Sequence, residues 1–475
     1  MAAYSSPKRA KTPLESSAIM NRPYPFRADK SRAFPSPAVL ESLPFDVYLH
    51  NMPIWYRLDN AGKLYPSVSG NRTTTVFRLS AHLSAPVHAG RIQTALNNLM
   101  PRFPFFAVHL KRGVFWYSLK KSTRLPLVEQ DSKYPCTDYP LLRRGIFPFR
   151  VRCRGNLIAV EFSHVLTDGT GALIFLQSLL AEYLHLSGVP RQDCRGLPVP
   201  GEAALPEESE DAFKRFGNPL LPPPRTLDKA FHLPLSLEQK GRYRITTGII
   251  PLKPLKEQAG QFGTGINNFL TAVMLYSFEQ MLQDMPPDMR RRVTAPIRIN
   301  VPVNLRKFWP TASTRNFFVS IEPEIDPRLG NWSFEEILEN VSCYMNTEMR
   351  PRFLAARMGR NLRSEQNILA RLAPLGVKNM FLPGLYARYG TNLYTSGLSN
   401  LGAVSMPEHL RPYIQRFDFI PAPAMDEKVK ASVISWNKHI YMNFGRLVRP
   451  AITELYVFRT LVGMGIPVKV ESNGP

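Results

Sequence analysis

The sequence predicts a mixed α/β protein made of two α+β lobes, each with a sheet-and-helix layering, facing one another across a cleft. Three observations carry that expectation. Extended apolar runs alternate with helix-length apolar segments from about residue 76 to residue 470. A stretch rich in Pro, Glu and Gly and without periodicity interrupts them over residues 192–233. At 475 residues, with 44% hydrophobic and 11% aromatic content, the chain is too long for one small core and apolar enough for two. The expected division is a basic segment over 1–45, a first lobe over 46–191, the Pro-rich crossover over 192–233 and a second lobe over 234–475.

In the first lobe, residues 76–83 alternate as a strand, and 87–100 carry Ile92, Leu96 and Leu99 at helical spacing after Pro86. Extended runs over 105–110 and 114–119 flank the turn Lys111-Arg112-Gly113, and runs over 149–153 and 157–162 flank Arg154-Gly155-Asn156. Residues 171–187, with Leu173, Ile174, Leu176, Leu179, Leu180, Tyr183 and Leu184, have the length and spacing of a core helix. Pro198, Pro200, Pro206 and Pro222-Pro223-Pro224 punctuate the crossover. The second lobe reads as strands over 243–250, 297–303, 317–322, 432–436, 439–444 and 467–470, with helices over 267–282, 333–349 and 451–464. Ser333, followed by Glu335 and Glu336, is the expected N-cap of the middle helix.

The formal net charge is +23, an excess that in other chains signals polyanionic partners. Here the basic residues are scattered, with no RNP pattern, zinc-finger spacing or basic-region heptad, so a cationic surface is expected rather than a nucleic-acid interface. No apolar run reaches the roughly 18–20 residues of a membrane span. The first 45 residues carry Lys8, Arg9, Lys11, Arg22, Arg27, Lys30 and Arg32 among Ser and Pro without an apolar core, which reads as a mobile tail or surface strap and not as a secretory signal. Cys136, Cys153, Cys194 and Cys343 are widely spaced with no C-x-x-C, so neither a zinc site nor a disulfide scaffold is expected, and the cytoplasm is the simplest location.

The stretch from Glu161 to Gly171 holds His164, Asp168 and Gly169 as H-x-x-x-D-G, where an apolar strand gives way to an apolar helix. The bare pattern arises by chance in about one or two of every hundred such chains, so its placement is what matters. A histidine at a strand end with a turn behind it is held rigidly and can face a cleft. With an ordinary pKa near 6.5, its neutral ring can take a proton from an attacking alcohol and return it to a leaving thiolate, as acyl transfer from a thioester requires. No G-x-S-x-G elbow is present, and no covalent enzyme intermediate is needed. Asp168 is expected to brace the turn through an arginine, and Gly169 to let the backbone bend close to the ring. His50, His82, His88, His109, His185, His232, His409 and His439 are read as structural.

Residues 163–184 resemble the active-site segment of the coenzyme A-dependent acyltransferase superfamily, which contains chloramphenicol acetyltransferase, plant BAHD enzymes, condensation domains and polyketide-associated acyltransferases; the alcohol O-acetyltransferase branch is the most similar. Further segments agree in order: Asn267-Asn268-Phe269-Leu270-Thr271-Ala272, Val301-Pro302-Val303-Asn304-Leu305-Arg306, Thr314-Arg315-Asn316-Phe317-Phe318 and Ser399-Asn400-Leu401-Gly402. The resemblance implies two chloramphenicol acetyltransferase-like lobes around a central tunnel, with acyl-CoA as a co-substrate entering from one face, a small alcohol or amine entering from the other, and no permanently bound cofactor. It implies His164 as general base and Asp168 as partner of Arg306. Ser399 and Asn400 fall on the oxyanion or acceptor side, and Asn267 and Asn316 are further binding candidates; for Asn316, fold support and a direct role stay equally open. A monomer is expected.

Two departures narrow the branch. Ser163 stands where condensation domains carry a second histidine, and Asn443-Phe444-Gly445-Arg446 replaces the D-F-G-W-G element of BAHD enzymes. Alternatives remain: transfer or amide formation from an acyl carrier protein, or a catalytically silent binding protein of the same fold. Trp55, Tyr56, Phe381, Tyr386 and Tyr394 are candidates for lining an apolar acceptor pocket.

Overall fold

A computed structural model describes residues 55–474 apart from 71, 72, 139, 193, 195 and 292, and apart from the side chains of 364, 369, 370 and 389. The basic segment 1–45 and His50 lie outside the described residues. The architecture is mixed α/β, with one large sheet in each half of the molecule.

The first sheet has five strands in the order Ile414–Ile420, Val76–Leu83, Leu157–Ser163, Phe149–Arg154, Val128–Gln130. Side chains alternate between its faces. On one face Phe77, Leu79, Ala81, Val151, Val160 and Phe162 meet the helices Ala89–Leu99 and Gly169–Leu186. On the other, Arg78, Ser80 and His82 line a polar cavity against strands of the second sheet. Phe162 is the hub of the apolar face: its ring stacks on Phe149 at 5.1 Å and meets Phe106 at 5.3 Å and Phe175 at 5.6 Å. That cluster fixes the strand that ends one residue before His164.

The second sheet runs Phe318–Ile321, Ile297–Asn304, Ser396–Ala403, Val429–Trp436, His439–Arg446, Arg244–Pro251, Lys469–Ser472, with Glu324–Ile325 also paired to Ile297–Asn304. Ser396–Ala403 is parallel to both of its neighbours, while the other pairs are antiparallel. The helices Ile266–Gln283, Phe334–Glu348 and Ile452–Gly463 supply its core with Phe269, Val273, Phe278, Ile337, Val341 and Val457. Ser333 caps Phe334–Glu348 in a capping box: its hydroxyl accepts from Glu336 N at 3.2 Å, and the Glu336 carboxylate accepts from Ser333 N at 2.8 Å.

The observed elements follow the expected order with two kinds of difference. The first hairpin is displaced to Val108–Arg112 and Tyr117–Lys121, because residues 113–116 form the turn, and it pairs with Trp55–Arg57 in a separate three-stranded sheet. Several further elements lie outside the expected set, among them four with no clean pattern. Leu252–Gln261 and Pro351–Gln366 are largely polar, and Leu375–Tyr389 contains Pro383. The strand Ile414–Ile420 hides its alternation because Arg416 and Asp418 are ion-paired to each other, and Asp418 to His82 as well. This last strand leaves the second half of the chain and completes the first sheet beside Val76–Leu83.

Phe162→Ala should destabilise the chain by about 3–5 kcal/mol in urea denaturation, since four other rings cannot collapse into the void. A loss under 1 kcal/mol would show that the cluster does not anchor the strand.

Candidate active site

The strand Leu157–Ser163 delivers His164 to the floor of a cavity of about 310 Å³ between the two sheets. Its backbone N–H donates to Thr75 O at 3.0 Å. Thr75 has φ of 55°, a left-handed conformation that is unusual for a β-branched residue and costs on the order of 1–3 kcal/mol. Neighbouring bonds hold it there: Thr74 Oγ1 donates to Cys136 O at 2.8 Å, and Thr75 Oγ1 lies 3.3 Å from Ser163 Oγ. The His164 ring is confined by Phe77 at 4.5 Å, Tyr65 at 5.3 Å and Phe318 at 5.9 Å.

Asn316 sets the tautomer of that ring. Its Nδ2 donates to His164 O at 2.8 Å and to both carboxylate oxygens of Asp59 at 3.2 and 3.1 Å, which leaves Oδ1 facing His164 Nδ1 at 3.3 Å. Oδ1 can only accept, so Nδ1 must carry the proton and Nε2 keeps its lone pair. Asp59 is held in turn by Gly62 N at 2.7 Å and by Arg315, whose Nε is 3.6 Å away. The chain Asp59, Asn316, His164 thus orients an imidazole as a carboxylate does in a hydrolytic triad, with an amide inserted between the two.

Burial lowers the His164 pKa to about 4, outweighing the Asn316 hydrogen bond, the Asp168 charge and a hydrogen bond with the Thr167 backbone, all of which raise it; the Lys430 charge adds to the lowering. The ring is therefore neutral near pH 7. Burial raises Asp59 to about 6, against the opposing Arg315 charge and the Gly62 and Asn316 hydrogen bonds.

Asp168 lies behind His164 as N-cap of the helix Gly169–Leu186. Oδ1 accepts from Thr170 N and Gly171 N, each at 3.1 Å, while Oδ2 accepts from Arg306 Nη1 at 2.7 Å and Phe317 N at 2.9 Å. One carboxylate thereby caps a first-half helix and fastens it to the second half. Arg306 also donates from Nε to Ser313 O at 2.9 Å and from Nη2 to Arg315 O at 2.5 Å, so it shapes the loop that presents Asn316. A Cβ on Gly169 would meet the Leu401 side chain at 2.8 Å, which can move; a Cβ on Gly171 would lie 2.2 Å from the Thr314 carbonyl, which cannot. The glycine that the packing requires is Gly171, and Gly169 has an ordinary φ.

Across the cavity Ser399 and Asn400 stand on the parallel strand, next to a register shift that ends at Ala403, with Gly402 at φ of 78° and its N–H bonded to Asn400 Oδ1 at 2.8 Å. Asn267 is one step behind, with Oδ1 3.4 Å from Asn400 Nδ2. His164, Asp168, Gly169, Ser399 and Asn400 thus line one cavity, while Arg306, Asn316 and Asn267 support it from behind. Of the aromatic candidates, Tyr386 and Tyr394 line the cavity. Trp55 and Phe381 are exposed, and Tyr56 packs on Phe105, so these three are not pocket residues.

Sequence reasoning missed Asp59, Arg315, Tyr65, Asn300 and the pair Glu427–Lys430. Asp59 belongs to a short irregular segment and Tyr65 opens the one-turn helix Tyr65–Val68, and no periodicity marks either. Asn300 sits within the Ile297–Asn304 strand, where its Oδ1 is buried without a partner.

No protein-family model matches the chain, and comparison with curated protein sequences finds no match. Solved structures do match. A trichothecene 15-O-acetyltransferase from Fusarium sporotrichioides, TRI3, superposes with a TM-score of 0.56 at 9% identity over 86% of this chain and 93% of its own. TRI101 of F. graminearum, complexed with coenzyme A and deoxynivalenol, gives 0.57 at 11% identity over 89% of this chain and 100% of its own. The starter condensation domain of rhizomide synthetase, as a mutant in complex with C8-CoA, gives 0.54 at 11% identity over 86% and 94%. The chain has the two-lobed chloramphenicol acetyltransferase-like fold. At these identities the likeness is one of fold.

The His164 shift has a definite sign in stability. The folded pKa of about 4 lies below the ordinary 6.5, so the unfolded chain binds more protons between those values. Stability from this group is full above pH 6.5 and is lost as pH falls through 4. Asp59 acts in the opposite sense between 3.8 and about 6, so the difference between wild type and His164→Gln isolates the histidine. Urea denaturation should show the wild type losing stability relative to His164→Gln as pH falls from 6.5 toward 4; a constant difference would mean that the ring is not desolvated.

Proposed function

We propose that this chain is an acyltransferase that moves an acyl group from acyl-CoA to the hydroxyl of a small alcohol, with His164 as general base and without a covalent enzyme intermediate. The observation that carries the reading is His164 itself: neutral, with Nδ1 held by Asn316, on the floor of a cavity between the lobes. Support comes from the fold shared with a trichothecene O-acetyltransferase and with proteins crystallised with coenzyme A or C8-CoA.

In this reading the alcohol O–H donates its proton to Nε2 as the oxygen attacks the thioester carbonyl. The tetrahedral oxyanion receives hydrogen bonds from Ser399 Oγ or Asn400 Nδ2. Collapse breaks the carbon–sulfur bond, and the imidazolium returns its proton to the thiolate, giving ester and free CoA. An imidazolium that is unfavourable in the empty cavity becomes acceptable while the oxyanion is present, because the two charges neutralise one another in a low-dielectric site. Asn316 Oδ1, polarised by Asp59, steadies the charged ring. The acceptor side is assigned to Tyr386, Tyr394, Phe419 and the Pro421–Ala424 segment, with Asn300 Oδ1 as a hydrogen-bond acceptor for a substrate hydroxyl.

A carrier-protein thioester as donor is the second reading, since the same base serves a phosphopantetheine thioester whether CoA or a protein carries it. Competing acyl-CoA against a loaded carrier in one assay separates them, and consumption of the carrier alone would replace the first reading by the second.

Free thiol released from a panel of acyl-CoA thioesters in the presence of alcohols should be lost in His164→Ala by at least about 10²-fold with folding intact; a fully active variant would remove the mechanism. Asp168→Asn should lower both stability, by about 3–5 kcal/mol, and rate. The amide keeps one acceptor for the helix cap but cannot also serve Arg306 and Phe317. A large rate loss with unchanged melting temperature would place the aspartate in direct contact with the chemistry. The acid limb of kcat/KM should fall well below pH 6.5, toward the His164 value of about 4; a limb at 6.5 would show a solvated base.

A further inference from the structure

His185, Cys194 and His409 are far apart in sequence and meet away from the catalytic cavity. His185 is in the last turn of the helix Gly169–Leu186. Cys194 follows it at the start of the crossover, where Leu197 N donates to Cys194 O at 2.9 Å and turns the chain. His409 arrives on the short 3-10 helix Glu408–Tyr413, packed near the same helix end. One ligand atom of each residue lies within 4.8 Å of the other two.

The imidazole rings are parallel to within 2°, with centroids 5.9 Å apart. Nε2 of His185 and Nε2 of His409 are both shut off from solvent, and neither has a hydrogen-bond partner. Buried polar atoms are almost always satisfied, and leaving one unpaired costs about 1–3 kcal/mol. A ring nitrogen of each histidine and the Cys194 sulfur lie within 4.8 Å of one another, so an occupant that accepts lone pairs fits between them.

We propose that His185, Cys194 and His409 form a zinc-binding site. Two imidazole nitrogens and one thiolate match the preference of Zn²⁺ for nitrogen and sulfur ligands, at about 2.0–2.1 Å and 2.3 Å from the metal. Tetrahedral binding at those lengths puts the donors roughly 3.3–3.7 Å apart, against a present spacing of up to 4.8 Å, so the side chains would close on the ion. All three residues are half-buried, and three protein ligands leave the fourth tetrahedral position to a water molecule. The cysteine loses its proton to solvent on binding, and no redox change occurs. The ion clips the start of the crossover and the 403–413 segment to the end of the helix whose other end is capped by Asp168. Its role is structural, and the proposal stands whether or not the acyltransferase reading holds.

The full chain, stripped with a chelator and desalted, should be titrated with Zn²⁺ against a chromophoric competitor, and separately with Co²⁺ to read thiolate-to-cobalt absorption. The expected result is one Zn²⁺ per chain with a raised melting temperature, affinity reduced by about tenfold or more in Cys194→Ser, His185→Gln and His409→Gln, and the thiolate band abolished in Cys194→Ser. These positions lie outside the catalytic cavity, so acyl-transfer activity and circular dichroism report whether each variant is folded. Failure of the wild type to bind stoichiometrically, or binding that the three substitutions leave unchanged, would overturn the site.

Discussion

The carboxylate of Asp168 is the joint on which the rest of the site depends. It caps the first-half helix through two backbone N–H groups and takes the Arg306 guanidinium and the Phe317 N–H from the second half. Both ends of the connection are buried or nearly so, and a bond of that kind is strong because the alternative is an unpaired charge away from water. Arg306 then binds the carbonyls of Ser313 and Arg315, and the loop so shaped puts Asn316 against His164. A contact between the two halves becomes the position of one amide, and that amide decides which imidazole nitrogen carries the proton.

The electrostatic consequence follows from the same geometry. A histidine walled by Phe77, Tyr65 and Phe318 is poorly solvated, so its charged form is penalised and its lone pair is kept at neutral pH. Asp59 is the counterpart: a carboxylate deep enough that burial raises its pKa to about 6, ionised near pH 7 because Arg315, Gly62 and Asn316 hold the charge. The site separates a neutral base from its anionic support by one amide. Direct contact with the carboxylate would make the ring far more basic and more often protonated at rest.

Much of this was legible in the sequence, and the reasons are local. The strand ending at Ser163, the helix after Asp168 and the Ser333 capping box are written in periodicity and cap residues, which act over a few positions. The pairing of Asp168 with Arg306 was implied by the resemblance of their two segments to the acyltransferase superfamily. What escaped notice depends on tertiary contact. Asp59 is one aspartate in an irregular segment, made important only because Asn316 reaches it. The strand Ile414–Ile420 is disguised by Arg416 and Asp418, which are tolerated in a sheet because they face a polar cavity and pair there. Gly171 is required by the Thr314 carbonyl, 2.2 Å from where its Cβ would sit, a contact that nothing local in the sequence marks. Residues 191–194 show no metal-binding spacing, since the companions of Cys194 come from a helix end and from a 3-10 turn far along the chain.

The central claim is that the fold holds one histidine as a neutral base with its lone pair on Nε2. Nitrogen-15 NMR of the histidine side chains at pH 7, with His164 identified by its loss in His164→Gln, tests this most directly. The account predicts a neutral ring protonated at Nδ1 and bare at Nε2, with that preference lost in Asn316→Ala. An imidazolium at pH 7, or a proton resident on Nε2 in the wild type, would contradict it.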